Sequence, residues 1–148
     1  FSLNLRNANT AETYSYRIKA AFFDNDLNFD MLDYFFRDWR ENKTIEMDRG
    51  VVTNFLKICE SLLGFDQELD VDITSAYRTS KTNEKLRRNS SKVARNSMHL
   101  VGRAIDFRIG NRSISNLENV AEKLTPGGLG VYSGFIHIDT GPYRRWKA

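Results

Sequence analysis

Two histidines and one aspartate are the residues of this sequence best suited to carry chemistry. His99 and His137 are the chain's two histidines, and they lie in two short motifs, Ser97–Asp106 and Phe135–Asp139. Imidazole nitrogens and carboxylate oxygens are ligands that Zn²⁺ prefers, and a catalytic zinc site uses three protein ligands and keeps one position open. His99, Asp106 and His137 would provide such a set. The alternative is that both histidines are ordinary hydrogen-bonded residues, as a lone histidine usually is.

The spacing of these residues requires a turn between the first histidine and the aspartate. Seven residues of straight strand would separate His99 from Asp106 by more than ~20 Å. Gly102 provides the permissive backbone for that turn. We place Asp106 on one strand and His137 on another, where the alternation of side chains puts Asp139 on the same face as His137. The second strand could therefore offer both a ligand and an adjacent carboxylate.

The elements that must position these residues follow from the apolar pattern of the chain. The predicted elements are a β-hairpin over 2–5 and 13–18, a helix capped by Asp30 with apolar positions up to Trp39, a helix over 49–63 between Asp48 and Gly64, a strand over 69–77, a basic helix over 81–88, a strand over 104–109, a helix from Ser115 to Leu124, and strands over 129–132 and 135–140. Strands and helices do not alternate as βαβ units would, which favours an α+β fold with an antiparallel sheet and helices packed around it.

The composition is that of a globular domain. The 148 residues, 41% of them hydrophobic, fit a single domain over 1–148, in which the zinc-site core begins at about residue 69. The single cysteine, Cys59, falls among apolar residues and is interpreted as a core residue. No run of eighteen apolar residues is present, so we expect no membrane span. The chain begins at Phe1, which suggests a trimmed chain or a mature form without its targeting segment.

A basic tract runs from Arg78 to Arg103 and contains eight Lys or Arg residues against one acid, Glu84. It is a candidate surface for an anionic partner. Nucleic-acid binding by a small domain is one hypothesis, but the aromatic residues that stack bases are missing, because Tyr77 is the only aromatic residue that flanks the tract. We therefore expect no nucleic acid as a partner. A solvated helix face is the other alternative for much of the tract.

Five motifs in order carry a resemblance that covers nearly the whole chain. They are Ser75-Ala76-Tyr77-Arg78-Thr79 with Asn83, then Ser97-x-His99-x-x-Gly102-x-Ala104-x-Asp106, then Gly127-Gly128-x-Gly130-x-Tyr132, then His137-Ile138-Asp139-Thr140-Gly141, and Arg145-Trp146. Each motif alone is a weak signal, but five in the right order are specific. With these motifs the sequence resembles the M15-type zinc peptidases, and within them the murein endopeptidase branch once called DUF882 (peptidase M15_2).

The resemblance implies a hedgehog/DD-peptidase-type α+β fold, a catalytic Zn²⁺, and hydrolysis of peptide cross-links or stem-peptide bonds in peptidoglycan, in the periplasm or cell envelope. It carries zinc ligation onto His99, Asp106 and His137, and substrate or transition-state contact onto Arg78. Arg78 could equally form a buried ion pair that fixes its loop. Tyr132 is a second candidate for stabilising the oxyanion. Further residues in the motifs or next to them are expected to contact the stem peptide: Ser80, Asn83, Ser97 and Trp146.

One departure from the family pattern concerns proton transfer. Many relatives have a catalytic acid three residues before the last ligand, or a histidine two residues before it, and here Gly134 and Phe135 occupy those positions. Asp139 is the nearest substitute as general base, but it could instead orient His137, as partners of metal-bound histidines commonly do. A catalytically silent zinc module that binds cell-wall peptides or a partner protein is therefore the alternative to an enzyme.

Overall fold

A seven-stranded sheet carries Asp106, His137, Asp139 and Trp146. The structure, a computed structural model, describes residues 2–17, 28–63 and 68–148. The strands are β1 (Ser2–Asn7), β2 (Thr13–Arg17), β3 (Glu68–Ser75), β4 (Ala104–Ile109), β5 (Gly128–Val131), β6 (Ile136–Asp139) and β7 (Arg144–Lys147). The helices are α1 (Phe29–Phe35), α2 (Arg49–Leu63), α3 (Ser80–Asn89) and α4 (Ile114–Leu124), and a 3₁₀ turn spans Met98–Val101. The strand order is β2-β1-β3-β4-β6-β5-β7.

The α+β class is confirmed, but the expectation of an antiparallel sheet is wrong for two strand pairs. β1 pairs with β3 in parallel, and β5 pairs with β7 in parallel, while the other four pairs are antiparallel. Parallel neighbours need a crossover connection. The helices α1 and α2 lie between β1 and β3 along the chain. After β6, the chain crosses to the far edge of β5, where β7 pairs in the same direction as β5.

The predicted hairpin and helices are present with several changed boundaries. α1 is capped by Asn28, whose side chain accepts a hydrogen bond from the Met31 amide, and Asp30 lies in its first turn instead of capping it. Trp39 lies beyond the helix, because the Asp38 side chain accepts the amides of the next turn. Of the apolar residues that were grouped in this helix, Met31 and Tyr34 are exposed rather than buried.

The remaining elements agree with the predictions except at their ends. Asp48 caps α2 as expected, since its Oδ2 accepts the Val51 amide at 3.1 Å, while Gly64 lies outside the described residues. α4 begins at Ile114 because Ser113, and not Ser115, is its cap. The predicted strand over 69–77 ends earlier, at Ser75. The 3₁₀ turn and β7 were not predicted.

α2 packs across the sheet and supplies the centre of the core. The Phe55 ring meets the Phe107 ring of β4 edge to face at 4.8 Å, and Phe36 contacts Phe55 from the other side. Cys59 is fully buried on the same helix, where burial raises the pKa of its thiol, so its interpretation as a core residue is confirmed. Among the described residues, no helix is both long enough and apolar enough to cross a membrane.

Gly102 makes the turn that the spacing of His99 and Asp106 requires. It follows the 3₁₀ turn with φ 68°, in the left-handed region that favours glycine. Its carbonyl accepts the Asp48 amide at 2.9 Å, which ties the turn to the start of α2. A Cβ at this position would lie 2.9 Å from Cγ2 of Ile45.

Replacing Gly102 by alanine should therefore destabilise the protein. We expect the free energy of unfolding to fall by about 1–2 kcal/mol, because a side chain in the left-handed region is strained. Urea unfolding followed by circular dichroism measures the change. Gly110→Ala is the matched control, since a Cβ added there would meet no atom within 4 Å. Equal stability of the two variants would contradict the role assigned to the Gly102 turn.

Candidate metal centre

A row of facing residues crosses five strands of the sheet and forms the floor of the site. Ser75 of β3 faces Asp106 of β4, Asp106 faces His137 of β6, His137 faces Gly130 of β5, and Gly130 faces Trp146 of β7. Residues that face each other across neighbouring strands project from the same side of the sheet. The pairing of the strands thus brings Asp106 and His137 together, although 31 positions separate them along the chain.

The two histidines converge on one oxygen of Asp106. His99 Nε2 lies 3.1 Å from Asp106 Oδ1, and His137 Nδ1 lies 2.8 Å from the same oxygen. One candidate ligand atom from each of the three residues lies within 4.8 Å of the other two, and all three residues are buried. The structure therefore assembles the residues that the sequence analysis grouped as ligands.

The second nitrogen of each histidine is held by an acceptor, which fixes the tautomer. His99 Nδ1 lies 2.6 Å from the carbonyl oxygen of Ala76, and His137 Nε2 lies 2.7 Å from Asp139 Oδ2. Both partners only accept, so these nitrogens must donate. In the neutral imidazoles the lone pairs then lie on His99 Nε2 and His137 Nδ1, beside Asp106. Two imidazole nitrogens and one carboxylate oxygen suit a divalent transition metal.

Burial and hydrogen bonding act in opposite directions on the pKa values of Asp106 and His137. Burial alone would raise the pKa of Asp106, but the neighbouring His99 and His137 hold it well below its ordinary range. Burial lowers the pKa of His99. At His137 burial acts in the same direction, but the hydrogen bonds to Asp106 and Asp139 outweigh it and raise the pKa to about 9. Because metal ligands must be deprotonated, a metal ion that binds here would compete with a proton for His137.

Asp139 lies behind His137 with its side chain fully enclosed. Its carboxylate accepts hydrogen bonds from the amides of Gly128 at 3.1 Å and Gly141 at 2.9 Å, and from Arg144 Nη2 at 2.7 Å, in addition to His137. Burial would raise its pKa, but the hydrogen bond to His137 and the other donors lower it to about 2. A Cβ at Gly128 would lie 2.6 Å from Oδ1 of Asp139, so the glycine is needed for this close approach.

Arg78 lies beside the cluster with its guanidinium nearly buried. Its Nε donates to Ser75 Oγ at 2.9 Å and its Nη1 donates to Asn83 Oδ1 at 3.3 Å, while Nη2 lies 3.7 Å from Asp106 Oδ2. Burial lowers the pKa of Arg78, and the carboxylate of Asp106 opposes that effect. The buried ion pair that was the alternative for Arg78 is thus present, within reach of the ligand cluster.

A groove of about 560 Å³ opens above the row. Eight of the predicted site residues line it: Arg78, Ser97, His99, Asp106, Tyr132, His137, Asp139 and Trp146. Ser80 and Asn83 do not; Ser80 is exposed at the start of α3, and Asn83 is buried, where it holds Arg78 and the Ala94 carbonyl. Ser97 lines the groove and also caps the 3₁₀ turn, because its Oγ accepts the His99 amide.

Two cationic groove residues were not singled out in the sequence analysis, although one of them, Lys92, belongs to the basic tract. Arg144 and Lys92 line the groove, and neither was named as a site residue. Arg144 lies two positions before Trp146, so the alternation of a strand would have placed both on one face. That signal was missed because Arg144–Lys147 contains a single apolar residue and was not interpreted as a strand. Nothing in the polar loop that contains Lys92 distinguishes it from its neighbours.

An aromatic cluster forms one side of the groove and consists of Tyr132, Phe135 and Trp146. The Tyr132 and Phe135 rings stack at 4.6 Å with 9° between their planes, across the turn that joins β5 to β6. Trp146 Nε1 donates to the Tyr132 hydroxyl oxygen at 3.1 Å, and the indole lies 5.3 Å from the His137 ring. The cluster therefore begins directly beside a candidate ligand.

Comparisons with known proteins identify the family of the chain. The family Peptidase_M15_2, described as "Peptidoglycan L,D-endopeptidase MepK", matches residues 1–146. The "Probable peptidoglycan L,D-endopeptidase MepK" of Haemophilus influenzae is 40% identical over 147 residues, which are 98% of this chain and 78% of the relative. The "Peptidoglycan L,D-endopeptidase MepK" of Escherichia coli K12 is 39% identical over 150 residues, with 97% and 79% covered. No solved structure matches the chain.

The His99, Asp106 and His137 cluster should bind one divalent metal ion per chain. After incubation with Zn²⁺ and desalting, we expect stoichiometric metal in the parent protein and almost none in His99→Ala or His137→Ala, because each variant loses one of three ligands. Elemental mass spectrometry measures the content. Ser133→Ala, which alters the groove outside the cluster, is the control. Full metal content in either histidine variant would contradict the ligand set.

Proposed function

The chain belongs to the Peptidase_M15_2 family of peptidoglycan endopeptidases, and on that basis we propose that it is a zinc-dependent enzyme that hydrolyses peptide cross-links or stem-peptide bonds of bacterial peptidoglycan. The observation that carries the proposal is the convergence of His99, Asp106 and His137 at the floor of a groove. The names of the relatives further support an L,D-endopeptidase, which cuts between centres of opposite configuration.

The three residues of the cluster would hold the zinc ion. Two of the three donors are imidazole nitrogens, which suit zinc better than the hard cations Mg²⁺ and Ca²⁺. A set of three protein ligands is typical of catalytic zinc, whereas structural sites use four. When bound, zinc supplies Lewis acidity, which polarises a carbonyl group and makes a water molecule acidic near neutral pH.

Of the two alternatives for Asp139, its surroundings favour the orienting role. A general base must reach the attacking water directly or through one other water. The carboxylate of Asp139 is enclosed and already accepts from two amides, Arg144 and His137. Its lowered pKa also makes it a weak base. We assign Asp139 the role of fixing the ring and tautomer of His137, as second carboxylates around metal sites commonly do.

Arg78 is proposed to bind the substrate carbonyl oxygen as negative charge develops on it. Its Nε and Nη1 are held by Ser75 and Asn83, so the plane of the guanidinium is fixed with Nη2 towards the cluster. Donors that are held in place before the reaction stabilise an oxyanion without reorganising. Asn83, which was expected to contact substrate, would on this view act through Arg78. Tyr132 is proposed as a second donor to the oxyanion from the other side.

The charge of the groove suits a substrate that carries carboxylates. Arg78, Lys92 and Arg144 line it against two acidic residues among the described lining residues, Asp106 and Asp139, so the cations exceed the acids by one. Stem peptides end in carboxylates, which arginine binds well. Ser97, which lines the same groove, remains a proposed substrate contact, whereas the position of Ser80 outside it argues against that role.

The site of action proposed for the chain is the periplasm or cell envelope, because peptidoglycan lies there and the relatives are named for acting on it. We also propose that residues 1–148 work as one domain. The support is the sheet, in which β1 from the first residues and β7 from the last belong to one hydrogen-bonded array.

Digestion of purified muropeptide dimers tests the proposed function. We expect mass spectrometry to show monomer products that disappear with a chelator and return with added Zn²⁺, and none from His137→Ala. Lys85→Gln is the control, since Lys85 lies on α3 away from the groove lining and should leave the rate unchanged. If a metal-loaded, folded chain yields no product, the silent binding module replaces the enzyme.

Asp139→Asn separates the two roles of Asp139. If the carboxylate orients His137, zinc affinity should fall about 10–100-fold, and turnover should recover when zinc is raised to saturation. Competition with a chromophoric chelator gives the affinity, and the muropeptide assay gives the rate. Asp70→Asn, at an exposed position on β3, is the control. A rate that stays low in the zinc-saturated variant would instead assign the general base to Asp139.

A further inference from the structure

Trp146 connects the aromatic cluster to the metal-binding cluster. Its indole lies 5.3 Å from the His137 ring, and its Nε1 lies 3.1 Å from the hydroxyl oxygen of Tyr132. The guanidinium of Arg144 lies 5.4 Å above the indole. Trp146 is thus half-buried between a candidate ligand and a candidate oxyanion donor, and it can influence both without touching a substrate atom.

The direction of the hydrogen bond between Trp146 and Tyr132 is fixed by chemistry. An indole nitrogen can only donate, so the Tyr132 oxygen must accept. The Tyr132 hydroxyl has one proton, and this proton must point away from the indole N–H, which already donates to the oxygen. The Tyr132 hydroxyl is therefore left to donate elsewhere, and Tyr132 lines the groove that contains the cluster and Arg78.

The rest of the surroundings hold both rings in this arrangement. Tyr132 stacks on Phe135, and the Tyr132 amide donates to the Phe135 carbonyl at 3.0 Å, which closes the turn between β5 and β6. Trp146 lies opposite Gly130 in the parallel pairing of β5 with β7. A Cβ at Gly130 would overlap the indole, so the absence of a side chain there creates the space in which the indole lies.

We propose that Trp146 is a positioning residue for the reaction, which sets the direction in which the Tyr132 hydroxyl donates. The proposal rests on the proposed function, because it assigns Tyr132 as the donor to the developing oxyanion. It differs from the expectation that Trp146 mainly contacts substrate. Trp146 acts through Tyr132, and β7, a strand at the edge of the sheet, becomes part of the catalytic apparatus.

The hydrogen bond itself can be tested without metal or substrate. The chain contains two tryptophans, so a ¹⁵N-labelled sample shows two indole N–H signals, which Trp39→Phe assigns. Tyr132→Phe should shift the Trp146 indole signal and speed its exchange with solvent, while the Trp39 signal stays in place. An unchanged Trp146 signal would overturn the proposal, because the bond on which it depends would be absent.

The catalytic consequence is tested by a double-mutant cycle on the zinc-loaded enzyme with muropeptide dimers. Tyr132→Phe should lower kcat about 10²-fold with KM nearly unchanged, as expected for loss of one oxyanion donor. Trp146→Phe keeps an aromatic ring but has no donor, and should lower kcat between about 10-fold and 10²-fold. The double variant should be no slower than Tyr132→Phe alone, because both changes remove one interaction.

Three results separate the possible failures. Additive losses, or a Trp146→Phe variant in which KM rises and kcat does not change, would overturn the proposal and leave Trp146 as a substrate contact. Loss of zinc from Trp146→Phe, measured by elemental mass spectrometry, would overturn it by showing an effect through His137 instead. If the parent protein binds zinc but cleaves nothing, the proposed function is refuted, and the catalytic role of Trp146 with it. A shift of the Trp146 indole signal in Tyr132→Phe would still show that the hydrogen bond exists.

Discussion

The cross-strand row from Ser75 to Trp146 is the constraint on which the site depends. Side chains alternate between the two faces of a strand, so a shift of one residue in the pairing of β4 with β6 would move Asp106 and His137 to opposite faces. The apolar residues at the alternate positions of β4 and β6 fix this register, because they are buried on the opposite face of the sheet. Ile105 faces Ile138, and all four of the paired apolar residues of these strands are fully buried. The packing of the core against α2 thus positions the candidate ligands on the opposite face of the sheet.

Charge imposes a second constraint on the same row. Two buried carboxylates, Asp106 and Asp139, lie beside two guanidinium groups, Arg78 and Arg144. When both imidazoles are neutral, these four charges balance, and the charge of a divalent ion would remain to attract an anionic substrate. The hydrogen bonds to Asp106 and Asp139 also raise the pKa of His137. Each buried carboxylate thus has a guanidinium partner, as expected because unpaired buried charges are costly.

The parts of the site that could be predicted from sequence are those that local chemistry determines. The scarcity of histidine singled out His99 and His137, and the distance argument required the turn at Gly102, which has positive φ. The long amphipathic pattern of α2 gave its correct bounds. The sequence could not distinguish a general base from a residue that orients His137, because in either role Asp139 lies on the same face of its strand as His137. The enclosure that favours one role comes from Gly128 of β5, Arg144 of β7 and the Gly141 amide, whose positions around the carboxylate depend on the folded sheet.

The parts that sequence did not predict depend on pairing between distant segments. The parallel pairing of β1 with β3 and of β5 with β7 depends on how all the strands of the sheet are arranged. The segment Arg144–Lys147 forms a strand because it pairs with the free edge of β5. When β7 is paired with β5, the absence of a side chain at Gly130 allows the Trp146 indole to lie in the row. A side chain at that position would exclude the indole from the row, and Trp146 would then contact neither His137 nor Tyr132. The hydrogen bond between Trp146 and Tyr132 thus depends on the absence of a side chain at Gly130, on the neighbouring strand.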